Sequence, residues 1–159
     1  ELRDRLALHQ FGWNMVENRG DYERRDWVPA RDARRFECGS PNFLGIHALE
    51  ASLSLIEDLG PTWIAAAIAE RVDHVIDRID DLGLELLSPR AAERRAGIVT
   101  FRVPGIDAGH LYRRLMERRV LCAQRGGGIR FSPHFYTPIA VLDRAMDLVA
   151  ELAVTTDGR

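Results

Sequence analysis

The spacing of apolar residues in the second part of the chain is the feature that most limits its fold. Four segments carry apolar side chains at every third or fourth position, namely 46–59, 61–82, 107–119 and 139–152. This period places the apolar side chains on one side of an α-helix, so each segment is predicted to be an amphipathic helix. Residues 97–103 instead alternate between apolar and polar side chains. Alternation of this kind predicts a strand with one buried face.

Glycine and proline residues mark the ends of these predicted elements. Gly60 is expected to end the first helix, Pro61 to begin the second and Gly83 to end it. Three more short segments are predicted to be strands: 84–87, 120–124 and 128–132. The last two flank a glycine-rich turn, "RGGG". The order of elements predicts an α/β chain of the two-layer α+β type, in which helices cover one face of a small, mostly antiparallel sheet.

Residues 1–45 show neither period. They carry aromatic residues, glycines and scattered charges in no regular order. Such a long irregular segment is uncommon inside a compact domain, so it is expected to belong to a functional site or to pack on other structure. We therefore predict a division near residue 45. The sequence also begins at Glu1 without a methionine, and we expect it to continue a longer protein.

The basic residues exclude some kinds of chemistry. All 22 of them are arginine, so no mechanism can use a lysine amine of this chain. The net charge of −2 gives no general affinity for nucleic acid or acidic membranes. The two cysteines, Cys38 and Cys122, lie far apart in the sequence and lack the spacing of metal ligands. Two such cysteines favour a protein of the reducing cytoplasm over a disulfide scaffold. No apolar segment has the length of a membrane span, and a soluble protein is expected.

The segment "RFECGSPN" at 35–42 is a candidate anion site. Gly39, Ser40 and Asn42 stand just before a predicted helix, where backbone amides, a hydroxyl and a side-chain amide come together. Such groups bind anions at the start of a helix. Serine and asparagine are also the usual N-cap residues, and the sequence leaves both interpretations open.

Arg130 is a candidate anion ligand. Its neighbours Ile129 and Phe131 would place the strand in the core, so a guanidinium there needs an anionic partner. A carboxylate held by two parallel hydrogen bonds is the natural one. An internal salt bridge, or exposure on the open face of the sheet, is the alternative. The nearby His134 is more simply a hydrogen-bonded loop residue.

Two other residues have both a chemical and a structural interpretation. The indole of Trp13 donates one hydrogen bond and stacks well, so it either contacts a ligand or packs. Cys122 lies in a predicted apolar strand and is expected to be a small buried hydrophobic residue and not a nucleophile of low pKa.

Three motifs, taken in order, resemble one protein family. They are "GW" at 12–13, "RRFECGSPN" at 34–42, which is similar to the family pattern Arg-Phe-Glu-x-Gly-Thr-Pro-Asn, and "GGIRFSPHFYT" at 127–137. Together they resemble the carboxyl-terminal part of a class V aminotransferase, one of the fold type I pyridoxal-phosphate enzymes. Cysteine desulfurases, kynureninases and isopenicillin N epimerase-like proteins belong to that superfamily. The resemblance implies that residues 1–45 are the end of a large domain with an interface arm, and that 46–159 form the small C-terminal domain.

The resemblance also implies roles for the candidate residues. Gly39 and Ser40, which stands where the family has threonine, would contact the phosphate of pyridoxal phosphate bound in the neighbouring subunit of a homodimer. Trp13 resembles the tryptophan that kynureninase-like members add to this phosphate site. Arg130 matches the arginine that binds the α-carboxylate of an amino acid substrate, and Asn42 is placed in the substrate site with it.

The family's Schiff-base lysine precedes the "GW" motif and lies outside this sequence. The resemblance therefore implies that the chain has no catalytic residue, does not hold the cofactor covalently and is inactive alone. Only seven residues separate Cys122 from Arg130. This spacing disfavours a desulfurase with a mobile cysteine loop and leaves transaminase, epimerase and kynureninase-like reactions open. A non-catalytic dimerisation module and a small carboxylate-binding α/β module remain as alternatives.

Overall fold

The computed structural model describes residues 2–154 of the chain. It forms two compact units, Glu1–Leu55 and Ile56–Arg159, which are described one at a time. The sequence predicts a frayed end for the tail "TTDGR" at 155–159, and these residues lie outside the described ones. In the part of the chain that is described, no helix has the length and apolarity needed to cross a membrane.

The first unit is mostly irregular, as its sequence predicts. It begins with a short helix, α1 (Leu2–Arg5), and contains two 3-10 turns, Trp13–Met15 and Ala33–Phe36. Its interior is small, with Met15 and Ala30 fully buried. The backbone N–H of Ala30 donates to the carbonyl of Met15 at 2.7 Å, which ties the two segments together.

Helix α2 (Phe43–Leu59) corresponds to the first predicted helix. It starts three residues earlier than its apolar pattern and ends before Gly60, whose φ of +84° suits glycine. The apolar side of this helix is exposed. The side chains concerned are between 38% and 59% exposed: Ile46, Leu49, Leu53, Ile56 and Leu59. The spacing thus predicts the helix correctly, but the expected burial of its apolar side is wrong for the described residues.

Three helices of the second unit bury the stripes that the sequence predicts. They are α3 (Pro61–Asp81), α4 (Ala108–Glu117) and α5 (Ile139–Val154). The buried positions include Val72, Val75, Ile76 and Ile79 on α3, Leu111 and Leu115 on α4, and Leu142, Met146, Val149 and Leu152 on α5. Asp107 caps α4, because its carboxylate accepts the N–H of His110 at 2.7 Å.

The sheet has four antiparallel strands. They are β1 (Glu85–Leu86), β2 (Val99–Arg102), β3 (Ala123–Arg125) and β4 (Gly128–Phe131), in the spatial order β1-β2-β4-β3. Gly126 and Gly127 join β3 to β4 with φ values of +57° and +78°. Positive φ at both central positions is what a tight hairpin turn requires.

Strand β3 begins later than the predicted strand 120–124. The reason is the end of α4: the N–H of Arg119 bonds the carbonyl of Met116, and the N–H of Val120 bonds that of Leu115. These two bonds form a Schellman motif, with Arg119 in the left-handed region at φ +62°. Residues 119 and 120 therefore complete the helix end and are not free to join the sheet.

One face of the sheet forms the core. Val99 and Phe101 pair with Phe131 and Ile129, and all four side chains are buried. The rings of Phe101 and Phe131 meet edge to face at 5.3 Å. Together with the buried sides of α3, α4 and α5 they make one hydrophobic cluster. The predicted two-layer α+β fold with an antiparallel sheet is confirmed.

Replacing Phe101 with alanine tests this core. Phe101 is fully buried, so we expect Phe101→Ala to lower the free energy of unfolding by about 3–5 kcal/mol, through lost apolar burial and the cavity left behind. Ile98, close by on the chain and 47% exposed, is the matched control, and Ile98→Ala should cost less than about 1 kcal/mol. Urea denaturation measures both; equal losses would contradict the assigned face.

Candidate functional site

A close backbone approach joins two of the sequence motifs in the first unit. A Cβ atom on Gly12 would lie 1.8 Å from the carbonyl oxygen of Cys38. The N–H of Asn14 donates to that same oxygen at 3.4 Å. No side chain fits at position 12, although its φ of −165° is open to any residue. The "GW" motif therefore lies directly against the "ECGS" segment because residue 12 is glycine.

This approach brings Trp13 next to Gly39. A Cβ atom on Gly39 would lie 3.5 Å from the indole Nε1 of Trp13, so a side chain there would fill the space beside the indole N–H. Trp13 is 57% exposed, which excludes simple packing. Ser40 follows Gly39 and is exposed. Within residues 2–154, neither the indole N–H nor the Ser40 hydroxyl has a hydrogen-bond partner.

Asn42 acts as the N-cap of α2. Its Oδ1 accepts the N–H of Gly45 at 3.0 Å. A Cβ atom on Gly45 would lie 2.5 Å from Nδ2 of Asn42, so glycine makes room for the capping side chain. The cap interpretation thus applies to Asn42, while Ser40 does not cap the helix. The role of Asn42 in substrate binding stays a prediction.

Arg130 is placed in the second unit by the pairing of β4. Its backbone pairs with Thr100 on β2 and Ala123 on β3. Since side chains alternate along a strand, Arg130 projects from the face opposite to Ile129 and Phe131. Its Nε is buried and has no hydrogen-bond partner in residues 2–154. A buried, unpaired guanidinium nitrogen carries an energetic cost that an anionic ligand would remove.

The acid on the same sheet face is held by another arginine. Glu85 pairs with Arg102, which shares its face with Thr100 and hence with Arg130. The guanidinium of Arg102 donates to both carboxylate oxygens of Glu85, at 2.9 and 2.6 Å. The internal salt bridge considered for Arg130 is not found among the described residues.

His134 and Cys122 fit their structural interpretations. The N–H of His134 donates to Oγ1 of Thr137 at 3.0 Å, closing a tight turn, and its ring stacks on Tyr136. Cys122 is half-buried, and burial raises the pKa of its thiol above the ordinary value. A raised pKa lowers the thiolate fraction and agrees with the prediction that Cys122 is not an activated nucleophile.

The sequence interpretation missed Asn14. This side chain is 2% exposed and is the buried polar residue of the described core. Its Nδ2 donates to Oε2 of Glu37 at 3.5 Å, and its Oδ1 accepts from Nη1 of Arg19 at 2.5 Å. A single asparagine inside an irregular segment gives no periodic signal, so only the adjacency of the two motifs reveals it.

Solved structures show which fold this is. The apo structure of cysteine desulfurase from Thermococcus onnurineus NA1 matches 91% of this chain and 39% of its own, with a TM-score of 0.79 and 22% identity. The cystine C–S lyase C-DES in complex with cysteine persulfide matches 90% of this chain and 38% of its own, with a TM-score of 0.75 and 20% identity. The chain has the fold of the fold type I pyridoxal-phosphate enzymes.

Sequence comparison shows the family. The model of aminotransferase class-V matches residues 1–134. YcbU, an uncharacterized aminotransferase of Bacillus subtilis strain 168, is 30% identical over 150 residues, which are 94% of this chain and 38% of YcbU. Isopenicillin N epimerase of Streptomyces clavuligerus is 35% identical over 127 residues, which are 75% of this chain and 32% of the epimerase. The chain belongs to the class V aminotransferase family, as the three motifs indicate.

The chain spans only part of its relatives. The matched segments make up between 32% and 39% of these proteins, so the chain covers well under half of each. The activity of a whole relative therefore does not transfer directly to these 159 residues.

Substituting Gly12 tests the contact between the two motifs. Gly12→Ala would place a methyl group 1.8 Å from the Cys38 oxygen, so the segments must separate. We expect a loss of about 2 kcal/mol or more in unfolding free energy, with a changed Trp13 fluorescence. Gly20→Ala is the control, because nothing lies within 4 Å of its added methyl group. If Gly12→Ala left both readings unchanged, the close approach would be wrong.

Proposed function

We propose that the chain is the carboxyl-terminal part of a pyridoxal-phosphate-dependent, class V aminotransferase-like enzyme that acts on an amino acid. In this proposal it contacts the cofactor phosphate across a homodimer interface and binds the substrate carboxylate. The observation that carries the proposal is the adjacency of Trp13 and Gly39, with unpaired donors on Trp13 and Ser40.

The residues of the first unit suit a phosphate group. An indole nitrogen only donates, and a hydroxyl next to backbone amides adds further donors. The missing Cβ of Gly39 leaves space beside the indole N–H for an oxygen of the phosphate. Trp13, Gly39 and Ser40 would hold the phosphate, and Ser40 keeps the hydroxyl of the family's threonine. When bound, pyridoxal phosphate supplies an electron sink for reactions at the substrate α-carbon.

Arg130 is proposed to bind the α-carboxylate of the substrate. Its guanidinium presents parallel donors that match a carboxylate, and its Nε has no partner in residues 2–154. The Arg102–Glu85 pair leaves no free acid on that side of the described strands to compete for it. Asn42, in the first unit, is proposed separately as a substrate-binding residue through its Nδ2 amide, while its Oδ1 caps α2.

The proposed homodimer has support from surface composition. The apolar side of α2 and the indole of Trp13 are exposed in the single chain. Apolar side chains that recur along one side of a helix and remain exposed are typical of contact surfaces. A cytoplasmic location is proposed with it, since both cysteines are unpaired thiols.

Substitutions of Arg130 and Ser40, the two proposed anion ligands, test this function. They are made in the longer polypeptide that carries this chain together with its upstream segment. Arg130→Ala should raise KM for an amino acid about 10- to 100-fold, because a charge-assisted contact to the carboxylate is lost. Ser40→Ala should weaken cofactor affinity about tenfold, while Ser40→Thr, which keeps the hydroxyl, should not. Alanine, cysteine sulfinate and kynurenine are the substrates to compare. An unchanged KM in Arg130→Ala would remove Arg130 from the site.

The isolated chain should not bind the cofactor covalently. The chain has no lysine, so pyridoxal phosphate mixed with it should not show the absorbance band, at the blue end of the visible spectrum, of a cofactor bonded to a lysine amine. The chain should be acetylated at its N-terminus for this measurement, because the terminal amine could otherwise react. A stable visible band on the acetylated chain would contradict the proposal. If calorimetry showed tight binding of small carboxylic acids to the same sample, the carboxylate-binding module would be favoured instead.

A further inference from the structure

Asn14 lies where the two motifs of the phosphate site meet. It follows the exposed Trp13 and precedes the buried Met15, and its own side chain is 2% exposed. Its backbone N–H donates to the Cys38 carbonyl, one residue before Gly39. A buried amide is costly unless its donor and acceptor are both used, and here both are used.

The side chain of Asn14 lies between a cation and an anion. Its Oδ1 accepts from the guanidinium of Arg19, and its Nδ2 donates to the carboxylate of Glu37. An uncharged amide can accept from a cation through its oxygen and donate to an anion through its nitrogen at the same time. Glu37 stands two residues before Gly39, so the link spans both motifs by side chains in addition to the backbone contact.

We propose that Asn14 is a positioning residue which, with Arg19 and Glu37, sets the distance between the indole N–H of Trp13 and Gly39. The inference rests on the proposed phosphate site and adds the residue that fixes its geometry. Without the Asn14 side-chain link, the backbone approach at Gly12 and the Asn14 N–H bond are what hold the "GW" motif to residues 37–40 among the described residues. The indole donor would then sample positions from which it cannot reach an oxygen of the same phosphate as Ser40.

An exchange of the two side-chain groups separates positioning from general stability. Asn14→Asp brings two carboxylates together and loses the donor to Glu37. Glu37→Gln alone keeps an acceptor for Asn14 and should be nearly neutral. The double variant Asn14→Asp with Glu37→Gln restores one donor and one acceptor with their roles reversed. We expect Glu37→Gln to rescue the defect of Asn14→Asp. If the Asn14 side chain only filled space, no such rescue would occur.

Two NMR readouts on the ¹⁵N-labelled 159-residue chain report the outcome. The first is the nuclear Overhauser contact between the indole N–H of Trp13 and the α-protons of Gly39. The second is the shift of the Trp13 indole cross-peak during titration with inorganic phosphate. Asn14→Asp should lose the contact and weaken phosphate binding about tenfold, and the double variant should recover both to within about twofold.

Controls keep the test decisive. Glu37 is exposed, so Glu37→Ala should fold even where Asn14→Asp does not, and it should lose the contact that Glu37→Gln retains. Glu17→Ala removes the 2.7 Å bond from the Arg31 N–H in the same unit without touching either motif. Equal weakening of phosphate binding in Glu17→Ala and Asn14→Asp, at equal loss of melting temperature, would overturn the positioning role.

The two readouts also separate this inference from the phosphate site itself. If phosphate leaves the wild-type indole cross-peak unchanged, the phosphate site is wrong, and the contact between Trp13 and Gly39 still decides whether Asn14 positions the indole. If the wild-type chain responds and Asn14→Asp responds equally with an intact contact, the phosphate site stands and the role of Asn14 is wrong.

Discussion

The arrangement of the first unit depends on the absence of one Cβ atom. At Gly12 the backbone comes so close to the Cys38 carbonyl that any side chain would overlap it. Because the two segments are far apart in sequence and neither belongs to a regular element, few hydrogen bonds are available to align them. In a sheet, hydrogen bonds between strands align the segments; here the close fit at Gly12 and the buried amide of Asn14 align them instead. Irregular structure can thus present Trp13 beside Gly39 in a defined way, provided that these two local requirements are met.

In the second unit, the pairing of strands places a cation, the Arg130 guanidinium, on a strand that is paired on both sides. Strand alternation sends Ile129 and Phe131 into the core and Arg130 to the other face, so the burial of the core side chains and the placement of the guanidinium are linked. A register slip of one residue would bury the charge. The pair between Arg102 and Glu85 is half-exposed and contributes little to stability. Its clearer effect is that the carboxylate of Glu85 is already engaged on the face that Arg130 shares.

The sequence predicts the regular elements well because their signals are local. The period of α3 and the alternation around Phe101 depend only on which side of an element meets the core, and both are confirmed. Long-range pairing leaves no such signal. The role of Asn14 depends on Glu37, and nothing in the spacing of the two residues links them. Helix α2 shows what a local signal leaves out. Its apolar period predicts the helix correctly, but the period does not say which surface covers its apolar side.

The choice of arginine throughout also has a functional consequence. A guanidinium stays protonated at any physiological pH, so it binds anions but neither attacks a carbonyl nor exchanges protons with a substrate. An exposed indole and a serine hydroxyl likewise bind and orient without activation, and the thiol of Cys122 has its pKa raised by burial. In the proposed function, the guanidinium, the indole and the serine hydroxyl therefore share one task, which is to hold negative charge in place. In the same proposal, the lysine amine that bonds the cofactor lies outside these 159 residues, which include no lysine, and the contribution of this chain is geometric.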